Sequence, residues 1–122
     1  MKPLVLIVDD EPEIRDILAE LLAGSYRTTT AANGADALTL FLREHPDVVL
    51  LDINMPGTSG IDVQKDMRAI DDAVPVIMLT AVQDVDRIAT ALRNGAFSYL
   101  PKPCDARYLR HLLAAALSQR RR

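Results

Sequence analysis

Short apolar runs alternate along this chain with segments whose apolar positions recur every three or four residues. The first run, Leu4 to Val8, reads as a strand. After it Ile14, Ile17, Leu18, Leu21 and Leu22 share one helical face, which Pro12 can open and Gly24 can close. Arg27 to Ala31, rich in β-branched threonine, reads as a second strand. Asn33-Gly34 then leads into a helix carrying Leu38, Phe41 and Leu42 and stopped by Pro46. Asp47 to Leu51 is a nearly continuous apolar run, as a strand covered on both faces should be. A loop from Asp52 to Gly60 precedes a third helix with Val63, Met67 and Ile70 as core candidates. Val76 to Leu79 gives a fourth strand, and Val85, Ile88, Ala89 and Leu92 a fourth helix ended at Asn94-Gly95. Ser98 to Leu100 is a short fifth strand, and Asp105 can cap a last helix bearing Leu109, Leu112, Leu113 and Ala116.

This βα alternation predicts a parallel sheet with helices on both faces, because right-handed crossovers put successive helices there. Four of the runs end in polar residues on the same side: Val8 in Asp9-Asp10, Leu51 in Asp52, Leu79 in Thr80, and Leu100, through Pro101, in Lys102. Parallel strands would bring these three carboxylates, the hydroxyl and the ammonium to one edge. That carboxyl-terminal edge is where open α/β sheets bind ligands.

Composition narrows the field. A chain of 122 residues, 49% hydrophobic and 25% charged, has the size and balance of one globular domain. No run approaches the roughly 18 apolar residues of a membrane span, and the first apolar run is too short for a signal peptide, so a cytoplasmic location is expected. One cysteine, Cys104, and two histidines make a disulfide or a zinc site a poor fit. The net charge of −3 becomes −6 without Arg120, Arg121 and Arg122, so an acidic body carries a basic tail. No second basic stripe accompanies that tail, which reads as a solvated helix end or the start of a linker (residues 120–122) after a domain of residues 1–119.

Asp9, Asp10 and Asp52 would repel one another if ionised side by side, and protonation or a cation would relieve them. Magnesium suits two or three carboxylates beside a phosphate, whereas calcium wants more protein oxygens than this loop offers. Taken alone, Asp9 and Asp10 could simply sit at the start of the first helix, where acids favour the helix dipole. Lys102, held between two prolines, can pair with Asp52 or with an oxyanion attached to it, and Thr80 can donate to a phosphoryl oxygen. Nucleophile, metal site, cationic clamp and hydrogen-bond donor together suit phosphoryl transfer.

The segments Val8-Asp9-Asp10-Glu11, Leu51-Asp52-Ile53-Asn54-Met55-Pro56-Gly57, Thr80-Ala81 and Tyr99-Leu100-Pro101-Lys102-Pro103 resemble, in order, those of the receiver domain of two-component response regulators, from about Pro3 to about Leu117. The resemblance implies a flavodoxin-like (βα)5 fold with strand order 2-1-3-4-5. It implies that Asp52 accepts a phosphoryl group from a sensor histidine kinase or a phosphotransfer protein. Asp10, Asp52 and the backbone carbonyl of Asn54 would bind magnesium directly, with Asp9 acting mainly through water. Lys102 would contact the phosphoryl group, and the Lys102-Pro103 bond would be cis. Thr80 and Tyr99 would form the switch pair that remodels the face of the fourth helix, fifth strand and fifth helix (α4-β5-α5), a possible homodimer surface. Asn54 and Val82 would tune the phosphate lifetime. Cys104 stands where the family often has phenylalanine, and reads as a small buried filler.

Two other readings compete. A dehalogenase-type phosphatase also uses a strand-end aspartate but needs an acid two residues later, where this chain has Asn54. A pseudo-receiver would act as a phosphorylation-independent dimerisation or protein-binding module. The output domain or target protein is not written in the sequence.

Overall fold

The computed structural model describes residues 1–81 and 83–120. Five βα units follow one another: β1 (Leu4–Val8), α1 (Pro12–Leu22), β2 (Arg27–Ala31), α2 (Gly34–Glu44), β3 (Val48–Asp52), α3 (Gly60–Ile70), β4 (Val76–Thr80), α4 (Val85–Arg93), β5 (Ser98–Pro101) and α5 (Ala106–Arg120). The strands form one parallel sheet in the order β2-β1-β3-β4-β5, as the flavodoxin-like reading required. Between β3 and α3, Asn54–Met55 pairs with Thr58–Ser59 in a small antiparallel hairpin that the sequence reading left as loop.

Period-2 alternation divides the core. Leu6, Val8, Val49, Leu51 and Met78 face one way, onto Phe41 of α2 and Val63 and Met67 of α3. Val5, Ile7, Val48, Leu50, Ile77 and Leu79 face the other, onto Leu18 and Leu22 of α1 and Leu109 and Leu113 of α5. β1, β3 and β4 are therefore buried along their whole length, which is why their sequences run apolar up to the terminal Asp52 of β3 and Thr80 of β4. Truncating Leu50 to alanine in this packing would cost about 2–5 kcal/mol.

Local chemistry sets the element ends. Pro12 occupies the first turn of α1, Asn33 Oδ1 accepts the Asp36 amide at 2.8 Å to start α2, and Asp105 Oδ1 accepts the Tyr108 amide at 2.9 Å to start α5. Asp47 lies just before β3: its amide donates to Leu4 O and its carboxylate accepts the Leu4 amide, both at 2.8 Å.

Five of the expected core positions are exposed: Ile17, Leu42, Ile70, Val85 and Leu92. Successive helical residues turn by about 100°, so Ile17 points well away from its buried neighbour Leu18, and Leu42 from Phe41. The apolar stripes are wider than the faces the sheet covers. α4 shows this most, with Ala91 its one buried residue.

Candidate functional site

The polar strand ends converge as the topology requires. β1 and β3 are hydrogen-bonded neighbours and so are β3 and β4, which brings Asp9 and Asp10 alongside Asp52, and Asp52 alongside Thr80. Lys102 follows β5, and its amide donates to Thr80 O at 2.8 Å, fixing the lysine against the end of β4. The Lys102-Pro103 bond is cis. Asp9, Asp52 and Thr80 are buried, while Asp10 is half-buried.

Close backbone packing supports this arrangement. Gly60, the first residue of α3, donates its amide to Ile53 O at 3.0 Å, and a Cβ there would lie 2.0 Å from the backbone oxygen of Asp52. Only glycine lets α3 start directly behind the strand end that presents Asp52. Asp52 Oδ1 accepts the amide of Asn54 at 3.0 Å, which orients the carboxylate.

The Lys102 ammonium lies 2.8 Å from Asp9 Oδ2, 3.4 Å from Asp52 Oδ2 and 3.7 Å from Glu11 Oε1. Asp9 is thus its nearest partner, ahead of the Asp52 that the sequence suggested, and Glu11 is a neighbour that the sequence reading did not identify. Asp9 also shapes the first loop: its Oδ1 accepts the Glu11 amide at 2.9 Å and its backbone carbonyl accepts from Arg15 at 2.8 Å.

Burial pushes the Asp52 carboxyl up from 3.8 to about 6; the Asn54 amide opposes this, Asp9 adds to it, and Lys102 opposes it. For Lys102, burial favours loss of the proton, but Asp9 and Asp52 outweigh it and hold the ammonium above its ordinary value. Burial also raises the Cys104 thiol, which packs half-buried against the α1/α5 side of the core.

Carboxylate oxygens of Asp9, Asp10 and Asp52 all lie within 4.8 Å of one another. Asp9 Oδ2, buried, is engaged by the Lys102 ammonium at 2.8 Å, so the cluster is only partly neutralised by that one cation. Three clustered carboxylates sharing one lysine form an all-oxygen donor set that fits a hard divalent cation. The Thr80 hydroxyl donates to Ala81 O at 3.0 Å and is turned to its own chain. Tyr99, beside Met78 in the sheet register, is exposed. Asn54 Nδ2 donates to Asp84 Oδ2 at 2.7 Å, a contact across 30 residues that no local motif signals. Val82 lies outside the described residues.

Comparison with known proteins agrees with this geometry. The profile of the response regulator receiver domain matches residues 5–114. Sporulation initiation phosphotransferase F of Bacillus subtilis is 42% identical over 106 residues, covering 86% of either chain. Regulatory protein AtoC of Escherichia coli is 45% identical over 114 residues, 93% of this chain but 25% of its own length, so the present chain spans about a quarter of that relative. A receiver domain from Clostridium thermocellum superposes with a TM-score of 0.93 at 31% identity, covering 98% of this chain and 97% of the other. These matches show that the chain belongs to the receiver-domain family of two-component response regulators.

Proposed function

We propose that the protein is a magnesium-dependent phosphoacceptor switch in which Asp52 is loaded by a sensor histidine kinase or a phosphotransfer protein. The observation that carries this reading is the Asp52 carboxylate itself, buried at a strand end, oriented by the Asn54 amide and 3.4 Å from a lysine. In the transfer, an Asp52 oxygen bonds to phosphorus while the bond from phosphorus to the donor's imidazole nitrogen breaks, and that nitrogen keeps the electron pair. Lys102 neutralises the incoming phosphoryl oxygens, and the Thr80 hydroxyl exchanges Ala81 O for one of them. Asp9, Asp10, Asp52 and the Asn54 carbonyl are the groups that would hold magnesium. When bound, the ion supplies the positive charge that lets three carboxylates and a phosphoryl group share one edge. Resetting needs only water: its oxygen bonds to phosphorus, the bond from phosphorus to Asp52 breaks, and phosphate leaves.

We assign the output to the face of α4, β5 and α5, where Val85, Leu92, Tyr99 and Tyr108 are exposed. Withdrawal of the Thr80 hydroxyl toward the phosphoryl group makes room for the Tyr99 ring to turn inward, changing that face for a homodimer partner, an output domain or a target protein. Residues 1–119 constitute the receiver in this reading and 120–122 a tail or linker. Among the described residues no helix is long and apolar enough to cross a membrane, in keeping with a cytoplasmic switch.

The test is intact mass after incubation with acetyl phosphate and magnesium, with Asp52→Ala as control and a parallel sizing run. One added phosphoryl group on the parent alone supports the reading. No addition to a folded parent, by acetyl phosphate or by a kinase, would favour the pseudo-receiver, and steady turnover of phosphoesters the phosphatase.

A further inference from the structure

The two loops that flank Asp52 are tied together by one side-chain hydrogen bond, Asn54 Nδ2 to Asp84 Oδ2 at 2.7 Å. Asn54 reaches the site through its backbone, whose amide donates to Asp52 Oδ1 at 3.0 Å. Asp84 reaches it from the other side: its amide donates to Ala81 O at 3.1 Å, the same carbonyl that accepts the Thr80 hydroxyl at 3.0 Å. Asp52, Asn54, Asp84, Ala81 and Thr80 therefore form a continuous hydrogen-bonded arc around the mouth of the site. Among the described residues, its one link that is neither backbone nor strand end is the bond between the Asn54 and Asp84 side chains.

That carboxylate has an obvious alternative use. Asp84 precedes α4 as its N-cap, and aspartate there ordinarily accepts an amide from the first turn of its own helix, yet here it makes no such bond. The capping interaction is forgone for a contact with the loop after β3. Ile88 N still donates to Asp84 O at 2.9 Å, so the residue is held to α4 by its main chain while its side chain is committed to Asn54.

We infer that Asp84 is a positioning residue for phosphoryl transfer at Asp52, acting through the side chain of Asn54 to hold the loop after β3 in register with the turn that carries Thr80. The inference rests on the phosphoacceptor reading of Asp52. Holding reacting groups in place accelerates the transfer, and loosening them slows it even when every reacting group remains. Asp84→Ala should then slow labelling of Asp52 by acetyl phosphate by about three- to tenfold. Asp84→Asn keeps a side-chain oxygen that can accept from Asn54 and should restore most of that loss, which separates anchoring from the carboxylate's charge. Asn54→Ala should slow labelling comparably, and adding Asp84→Ala to it should cost nothing further, since the two act through one bond.

A second readout stands apart from phosphoryl transfer. In nuclear magnetic resonance spectra the bonded side-chain amide proton of Asn54 should be shifted from its free-asparagine position and exchange more slowly with solvent in the parent, and both should return to free-asparagine values in Asp84→Ala. Slowed labelling with rescue by Asp84→Asn, together with that return, supports the assignment. Parent-like labelling of Asp84→Ala, or independent effects of the two alanine variants, would overturn it. A parent that takes no phosphoryl group would defeat the phosphoacceptor reading and with it this one as a statement about transfer. The amide resonances would then still show whether Asp84 positions Asn54.

Discussion

Asp52→Asn should make the metal-free protein more stable, although it removes the side chain on which the proposed chemistry depends. Folding takes the Asp52 carboxyl from 3.8 to about 6, a value that already includes the opposing help of Lys102 and the Asn54 amide. Each pK unit is worth about 1.4 kcal/mol, so keeping Asp52 ionised in the folded protein costs up to about 3 kcal/mol near neutral pH. Because the Lys102 side chain retains 20% of its exposure and can follow solvent, about 1.5–3 kcal/mol is the working range. Asparagine occupies the same volume, keeps an oxygen for the Asn54 amide and carries no charge. For a chain of this length the gain corresponds to a rise of roughly 5–10 °C in melting temperature. The pH dependence has a definite sign: a raised carboxyl contributes its stability in full below about pH 4 and loses it as pH climbs through 6. The gap between variant and parent should accordingly be small at pH 4 and open by pH 7.5. Circular dichroism melts of both proteins in chelator at those two pH values would measure it. A variant that melts at or below the parent at pH 7.5, or a gap that ignores pH, would refute the reasoning.

Magnesium should narrow that gap: at a concentration ten times its dissociation constant it should stabilise the parent by about 1.4 kcal/mol and Asp52→Asn by less, as parallel melts with and without the ion would show. Labelling by acetyl phosphate at a fixed magnesium concentration should fall on acidification, since only ionised Asp52 can attack and burial raises its carboxyl, and intact mass across a pH series would follow it. Gly60→Ala should destabilise by about 1–3 kcal/mol or more, because its Cβ would lie 2.0 Å from Asp52 O and 2.8 Å from the Ile53 Cα, and should weaken magnesium binding through the displaced strand end; denaturant melts and a magnesium titration check the two effects. Cys104 should react with iodoacetamide at pH 8 several-fold more slowly than a free cysteine, because burial raises its thiol; a Cys104 rate equal to that of a small-molecule thiol would contradict that.

The sequence determined the sheet and the identity of the residues at its edge. β1, β3 and β4 are legible because a parallel strand covered on both faces has to be apolar throughout, and Asp9, Asp52 and Thr80 mark where each run stops. Pro12, Asn33 and Asp105 announce helix starts because capping is a matter of immediate neighbours in the chain. Tertiary structure decided everything that depends on distance between remote segments. It selected which part of each apolar stripe the sheet covers, leaving Ile17, Leu42, Ile70, Val85 and Leu92 exposed. It placed Lys102 nearer to Asp9 than to Asp52, and it required glycine at position 60 because two backbones meet there. It joined Asn54 to Asp84 across 30 residues. Periodicity and capping are written within a few residues of where they act, whereas an ion pair's geometry, a carboxyl's loss of water and a contact between two loops exist only once the strands lie side by side.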